Sequence, residues 1–236
     1  MLARFFPLLC ALALPAEAAA PCASDAMVVF DASASMGETV GSGTTRLAEL
    51  QDAMARVVPR AAAARRLGLL TYGPGGADAC AGLDLRFPPR ADAAAPLLAD
   101  LATLAPDGLT PLSAAVEHAA EALGHRENPA VIVLVTDGNE SCDGAPCALA
   151  ERLAAEARDL MIHVLGLKVV FDFHAWNDPA QTPFFGGRIA ARCLADRTSG
   201  EYASTETVGD LIAALERTLA CPLIGARPAL RPAARG

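Results

Sequence analysis

Short apolar runs alternate with longer stretches of helical spacing along this 236-residue chain. Ala26–Asp31 (AMVVFD) is an apolar run that ends in an acid. Leu67–Tyr72 reads as a strand and Gly73-Pro74-Gly75-Gly76 as the turn that closes it. Leu83–Phe87 alternates apolar with polar residues, which suits a hairpin partner at a sheet edge. Ala130–Thr136 (AVIVLVT) does not alternate, as expected of a parallel strand buried on both faces. Met161–Leu167 and Glu201–Ser204 complete the predicted strands.

Between them the spacing changes to that of helices. Leu47, Leu50, Met54, Val57 and Val58 mark one over 46–58, and Leu97, Leu98, Leu101 and Leu104 mark a second. Leu112, Val116, Ala119 and Leu123 mark a third, stopped by Gly124. A fourth starts at Pro146 and carries Leu149, Leu153, Ala157 and Leu160. A fifth is expected around Ile189–Arg197, ended by Gly200. Thr207-x-x-Asp210 resembles a capping box ahead of Val208, Leu211, Ile212, Leu215 and Leu219. Strands alternating with helices imply a doubly wound, mostly parallel α/β sheet with one antiparallel edge strand and helices on both faces. No internal repeat or second domain is visible.

The first twenty residues fall outside this pattern. Arg4 precedes an apolar stretch, Phe5–Leu14, which is too short to span a bilayer and runs into Pro15 and Ala16-Glu17-Ala18. This is the form of a secretory signal peptide over 1–18, with a mature chain beginning near Ala19 and no membrane span left after its removal. Residues 19–221 are then the folded domain. Residues 222–236, rich in Pro, Ala and Gly, carry Arg227, Arg231 and Arg235 and no acid, and are expected to be disordered. The formal net charge is −8 and Lys168 is the only lysine, which argues against binding nucleic acid through positive charge. Of seven cysteines, Cys10 lies within the signal segment. The six others, Cys22, Cys80, Cys142, Cys147, Cys193 and Cys221, are an even set that suits disulfides in a periplasmic or secreted protein. Neither their spacing nor that of the four histidines suits zinc.

Ligands of such sheets bind beyond the carboxyl ends of the strands, where strand order reverses. Two strand ends here carry hard oxygen donors: Asp31-Ala32-Ser33-Ala34-Ser35 and Thr136-Asp137-Gly138. Between them Gly108-Leu109-Thr110-Pro111 places a hydroxyl just before a helix. Carboxylates and hydroxyls without nitrogen or sulfur favour Mg²⁺ or Mn²⁺. Each motif alone is common; their order and placement together are specific.

Together they resemble the metal-ion-dependent adhesion site of von Willebrand factor type A domains, built from D-x-S-x-S, a later Thr and a later Asp. On that resemblance Asp31, Ser33, Ser35, Thr110 and Asp137 are the metal residues. The similarity spans about Ser24 to Cys221, and VILVTDGNESCDGAPC and CLADRTSGEY resemble exported bacterial members. The resemblance implies a Rossmann-like fold and a non-enzymatic role. Serines and threonine hold the cation, the aspartates act mostly through water, and an acidic residue of a protein partner completes the coordination. In such a fold Cys22 and Cys221 should meet at the pole opposite the metal. Their bridge is worth about 4–5 kcal/mol in the chain-entropy model. Cys142 with Cys147 would be a local bridge, leaving Cys80 for Cys193, with an exchange of partners among these four open.

Two rival functions are a metal-dependent hydrolase or phosphotransferase using Asp31, and a scaffold that binds without metal. Against the first, Ser33 stands where haloacid-dehalogenase-type phosphatases carry a second aspartate, and no lysine lies near to neutralise a phosphate. No G-x-S-x-G elbow occurs. Asn139 and Glu140 read as a solvated turn, His125 as surface, His118 and Glu121 as a solvated pair, and His163 as a packed strand residue. His174 and Trp176 occupy a loop that could serve recognition, with local packing the default.

Overall fold

Six strands form one sheet in the order β3-β2-β1-β4-β5-β6. They are β1 (Asp25–Asp31), β2 (Leu67–Tyr72), β3 (Leu83–Arg90), β4 (Pro129–Thr136), β5 (Asp159–Leu167) and β6 (Tyr202–Thr205). All neighbours are parallel except β2 and β3, so the antiparallel strand is the edge strand, as its alternation predicted. The computed structural model describes residues 22, 24–40, 43–75, 78–138, 140–167 and 191–221. The expected signal segment, the loop with His174 and Trp176, Asn139 and the tail after Cys221 lie outside the described residues.

Parallel strands need crossovers, and these put helices on both faces. Helices α1 (Arg46–Ala64), α2 (Ala94–Ala102) and α6 (Val208–Leu219) cover one face. Helices α3 (Leu112–Ala122), α4 (Pro146–Glu156) and α5 (Arg192–Arg197) cover the other. The interiors of β1 (26–30) and β4 (130–135) are therefore apolar throughout. Val28 and Phe30 of β1 face one core and Met27 and Val29 the other. Burying each such side chain is worth roughly 1.5–3 kcal/mol, which fixes the ends of β1 and β4 against any slip in register.

Helix boundaries follow local chemistry. Thr207 and Asp210 form the expected capping box of α6, and Thr45 caps α1. Helix α1 runs on through Pro59 to Ala64, beyond the last residue of the predicted spacing. Pro59 faces solvent, and Ala61 one half-turn later returns to the core, so burial outweighs one missing backbone bond. Gly124 adopts φ +61° and closes α3, with the His125 N–H bonded to the Ala120 carbonyl. That closure folds His125 back onto the helix, where it is 1% exposed, in contrast to the surface position expected.

Three disulfides are present. Cys22–Cys221 joins the two ends of the domain beside the last turn of α1, where the Cys22 N–H bonds the Ala64 carbonyl. The local Cys142–Cys147 bridge does not form, nor does Cys80–Cys193. Cys80 pairs with Cys142 and Cys147 with Cys193. The reason is orientation: Cys147 lies on α4 and meets α5, which packs beside it, while Cys142 precedes α4 in the loop that faces the end of β2. Among the described residues no helix is long and apolar enough to cross a membrane.

Candidate metal centre

Strand order reverses between β1 and β4, and the chain leaves both strands on acids. Asp31 ends β1, fully buried between β2 and β4, and both carboxylate oxygens are engaged. Oδ1 accepts from the Ser33 N–H (2.9 Å) and the Ser33 hydroxyl (2.6 Å); Oδ2 accepts from the Thr136 hydroxyl (2.6 Å). The first pair turns the chain sharply into a 3-10 segment, Ala34–Gly37, anchored by the buried Met36. That turn brings Ser35 back beside Ser33, with 3.2 Å between the hydroxyl oxygens. The Ser35 hydroxyl in turn donates to Asp137 Oδ1 at 2.8 Å. Asp31, Ser33, Ser35 and Asp137 thus form one hydrogen-bonded chain.

Thr110 is held next to this chain by its backbone. Its loop is tied to the Asp31 loop through Ala34 N–H to Gly108 C=O and Asp107 N–H to Ala32 C=O. Gly108 (φ +71°) lies so close to the Gly73 carbonyl that no side chain fits between them. The Thr110 N–H bonds the Ser141 hydroxyl, and its carbonyl accepts from the Ser141 N–H. No hydrogen bond joins the Thr110 hydroxyl to Ser33 or Ser35, so it is not part of the hydrogen-bonded chain.

Three further residues shape this end of the sheet; sequence pointed to Thr136 only as part of a strand end, and gave Tyr72 and Arg46 no role in the site. Thr136 holds Asp31. Tyr72, fully buried beside Asp31, brings its hydroxyl close to Asp31 and Thr136 without completing a hydrogen bond, and burial pushes its phenol well above the usual range. Arg46, the first residue of α1, is buried and donates from Nη1 to Asp137 Oδ2 (3.0 Å), Glu38 Oε2 (2.6 Å) and the Ser35 carbonyl (2.9 Å). A cation in the first helical turn opposes the helix dipole, and that mismatch is the signal in the sequence that would have found it. Glu140 is not a free turn residue: its carboxylate accepts from the Ser113 and Cys142 N–H groups and so caps α3. Burial, then the nearby charge of Asp31, push Asp137 up to about 6, against the lowering effects of Ser35 and Arg46.

The histidines stand apart. His125 Nδ1 meets the Ala120 carbonyl, His118 is half-buried on α3, and His163 Nδ1 accepts from the Glu201 N–H. Burial pushes His163 down to about 4.

The donor set suits a hard divalent cation. Each serine hydroxyl donates its hydrogen bond to an aspartate behind it, leaving its lone pairs free to face an ion. Neighbouring ligands around Mg²⁺, bonded at about 2.1 Å, lie about 3 Å apart, close to the 3.2 Å between these hydroxyls. Among the described residues no three His, Cys, Asp or Glu side chains converge, so an ion here relies on hydroxyls and water with few direct anions.

Residues 26–140, which run from β1 through Asp137, match the family model for the von Willebrand factor type A domain. The match covers just under half of the chain, and this stretch is similar to a type A domain. Its match starts on β1 and ends three residues past Asp137, so it contains all five predicted metal residues. A curated relative is 28% identical over 119 residues: the uncharacterized protein YwmD of Bacillus subtilis (strain 168). The aligned region covers 50% of this chain and 47% of that one, so the chain spans about half the length of its relative. Proximal thread matrix protein 1 from the mussel byssus, in a structure with a zinc-occupied MIDAS motif, superposes with TM-score 0.57 at 18% identity. That likeness covers 84% of this chain and 46% of the mussel protein. The open conformation of the pilus adhesin SpaC from Lactobacillus rhamnosus GG gives TM-score 0.60 at 12% identity, covering 85% and 30%. At these identities the structures share the type A fold. The three disulfides are consistent with an extracellular protein.

Proposed function

We propose that this protein is an exported, non-enzymatic binding module, periplasmic or secreted once a signal peptide over 1–18 is removed. It holds Mg²⁺ or Mn²⁺ at Asp31, Ser33, Ser35, Thr110 and Asp137 and offers the ion's open position to an acidic residue of a protein partner. The observation that carries this reading is the pair of serine hydroxyls, 3.2 Å apart, each backed by an aspartate. With the anions behind the hydroxyls, a dication bound there stays electrophilic and seeks a further carboxylate. The same geometry weakens the phosphotransferase reading. Both oxygens of Asp31 accept hydrogen bonds, so neither is poised as a nucleophile. Nor does any described histidine contact Ser33 or Ser35 as a base. The zinc in the mussel protein's motif supports a divalent ion at this kind of site.

Thermal melting of chelator-treated protein tests the reading. Millimolar Mg²⁺ or Mn²⁺ raises the melting temperature of the wild type, and Asp31→Ala or Asp137→Ala removes the rise. A wild type indifferent to both ions refutes the metal site. Chelator-sensitive capture of a partner from the native envelope, lost in the same variants, then tests the binding role.

A further inference from the structure

Arg46 is the strongest unexplained feature of the site. A guanidinium with a side chain 9% exposed sits in the first turn of α1, where the helix dipole disfavours it. Three acceptors surround its Nη1, while its buried Nε has no partner. Of these acceptors, Asp137 is buried and Glu38, with a side chain 64% exposed, lies at the rim. Solvent therefore screens Glu38, and Asp137 is the anion that Arg46 chiefly serves.

On the cation-site reading above, we propose that Arg46 is the resident counter-cation of the site. As a positioning residue it holds Asp137 and the Ser35 backbone in place without a metal. Once a metal is bound, it leaves the ion with positive charge to spare. Arg46 takes only Oδ2 of Asp137, and Oδ1 remains with the Ser35 hydroxyl, so the guanidinium fixes the carboxylate without displacing the serine. Two aspartates alone would neutralise a dication. Asp31, Asp137, Arg46 and the ion together then carry one net positive charge, matched by a single partner carboxylate. The arrangement lowers affinity for the cation and raises affinity for the anion that follows it. Asp31, whose oxygens are filled by Ser33 and Thr136, has no need of such a partner.

The test titrates Mn²⁺ alone into chelator-treated wild type, Arg46→Met and Arg46→Lys, reading free Mn²⁺ by electron paramagnetic resonance. Acetate is then titrated onto the Mn²⁺-loaded proteins as a carboxylate probe. Arg46→Met should melt several degrees lower without metal, yet bind Mn²⁺ about tenfold more tightly and acetate several-fold more weakly. Arg46→Lys, which keeps the charge, should restore the wild-type order of both affinities. A purely structural arginine would lower stability and Mn²⁺ affinity together, and equal or weaker Mn²⁺ binding by Arg46→Met overturns the proposal. Should Arg46→Met fail to fold, Glu38→Gln at the rim carries the test. It leaves Arg46 less offset, so Mn²⁺ affinity falls about two- to threefold and acetate affinity rises; unchanged or reversed affinities overturn the role of Arg46. A wild type that binds no Mn²⁺ overturns the cation reading itself and this inference with it.

Discussion

Removing the Cys80–Cys142 bridge should loosen the Thr110 loop more than any other part of the domain. The bridge joins the loop after β2 to the loop after β4, and the Thr110 loop runs between them. On one flank the Leu109 N–H bonds the Ala79 carbonyl, one residue from Cys80. On the other, Thr110 exchanges two hydrogen bonds with Ser141, one residue from Cys142. The half-cystines are 62 residues apart in sequence, and closing a loop of that size is worth about 4 kcal/mol in the chain-entropy model. Residual structure in the unfolded chain commonly reduces such values, so a Cys80→Ser/Cys142→Ser variant should lose about 2–4 kcal/mol in urea unfolding. The sharper assay is amide hydrogen exchange in the native state. Leu109, Thr110 and Ser141 should exchange at least about tenfold faster relative to the β4 amides, because local opening no longer works against a covalent tie. If those three amides and the strand amides accelerate by the same factor, the bridge acts only on the unfolded chain and does not brace the loop.

Two further predictions concern stability. Burial lowers the folded-state pKa of His163 to about 4, below its ordinary 6.5, so the unfolded chain takes up the proton first. Stability is then unaffected by this group above pH 6.5 and falls as pH drops from 6.5 towards 4, by roughly 2–3 kcal/mol given its partial exposure. His163→Asn should flatten that part of the stability profile measured by urea unfolding, and an unchanged slope would refute the assignment. Gly108→Ala forces a side chain into left-handed backbone against the Gly73 carbonyl, and should cost at least about 2 kcal/mol in the same assay. A near-neutral effect would show that these two loops can separate freely.

Much of the scaffold was legible because burial writes a period into the chain. The unbroken apolar run of β4 announced a strand covered on both faces, and the alternation in Leu83–Phe87 announced an edge. Asp31 and Asp137 were legible as acids at two strand ends, and the pairing of β1 with β4 sets those ends side by side. What stayed hidden depends on side-chain direction, which periodicity does not encode. Arg46 stands at the start of the predicted helix over 46–58, a cation set against the dipole, but only the fold shows that its guanidinium turns inward to Asp137. Glu140 looked like part of a solvated turn, yet it takes the orphan Ser113 N–H at the start of α3. His125 followed a helix stop and read as surface, but the backbone closure at Gly124 folds it inside. The exchange among Cys80, Cys142, Cys147 and Cys193 has the same origin. Sequence proximity favoured the four-residue loop, whereas α4 aims Cys147 at α5 and the preceding loop aims Cys142 at Cys80.

The bridge between Cys22 and Cys221 also decides how the domain carries mechanical load. The two residues, 5.2 Å apart between Cα atoms, mark where the chain enters and leaves the fold. A pull applied to the flanking segments passes across this covalent link and bypasses the sheet between them. The strands that hold Asp31 and Asp137 bear none of that tension, and their carboxyl ends point away from the anchorage. Only a load taken between the far pole and this anchorage runs along β1 and β4, in the direction in which parallel strands are drawn past one another together rather than peeled apart.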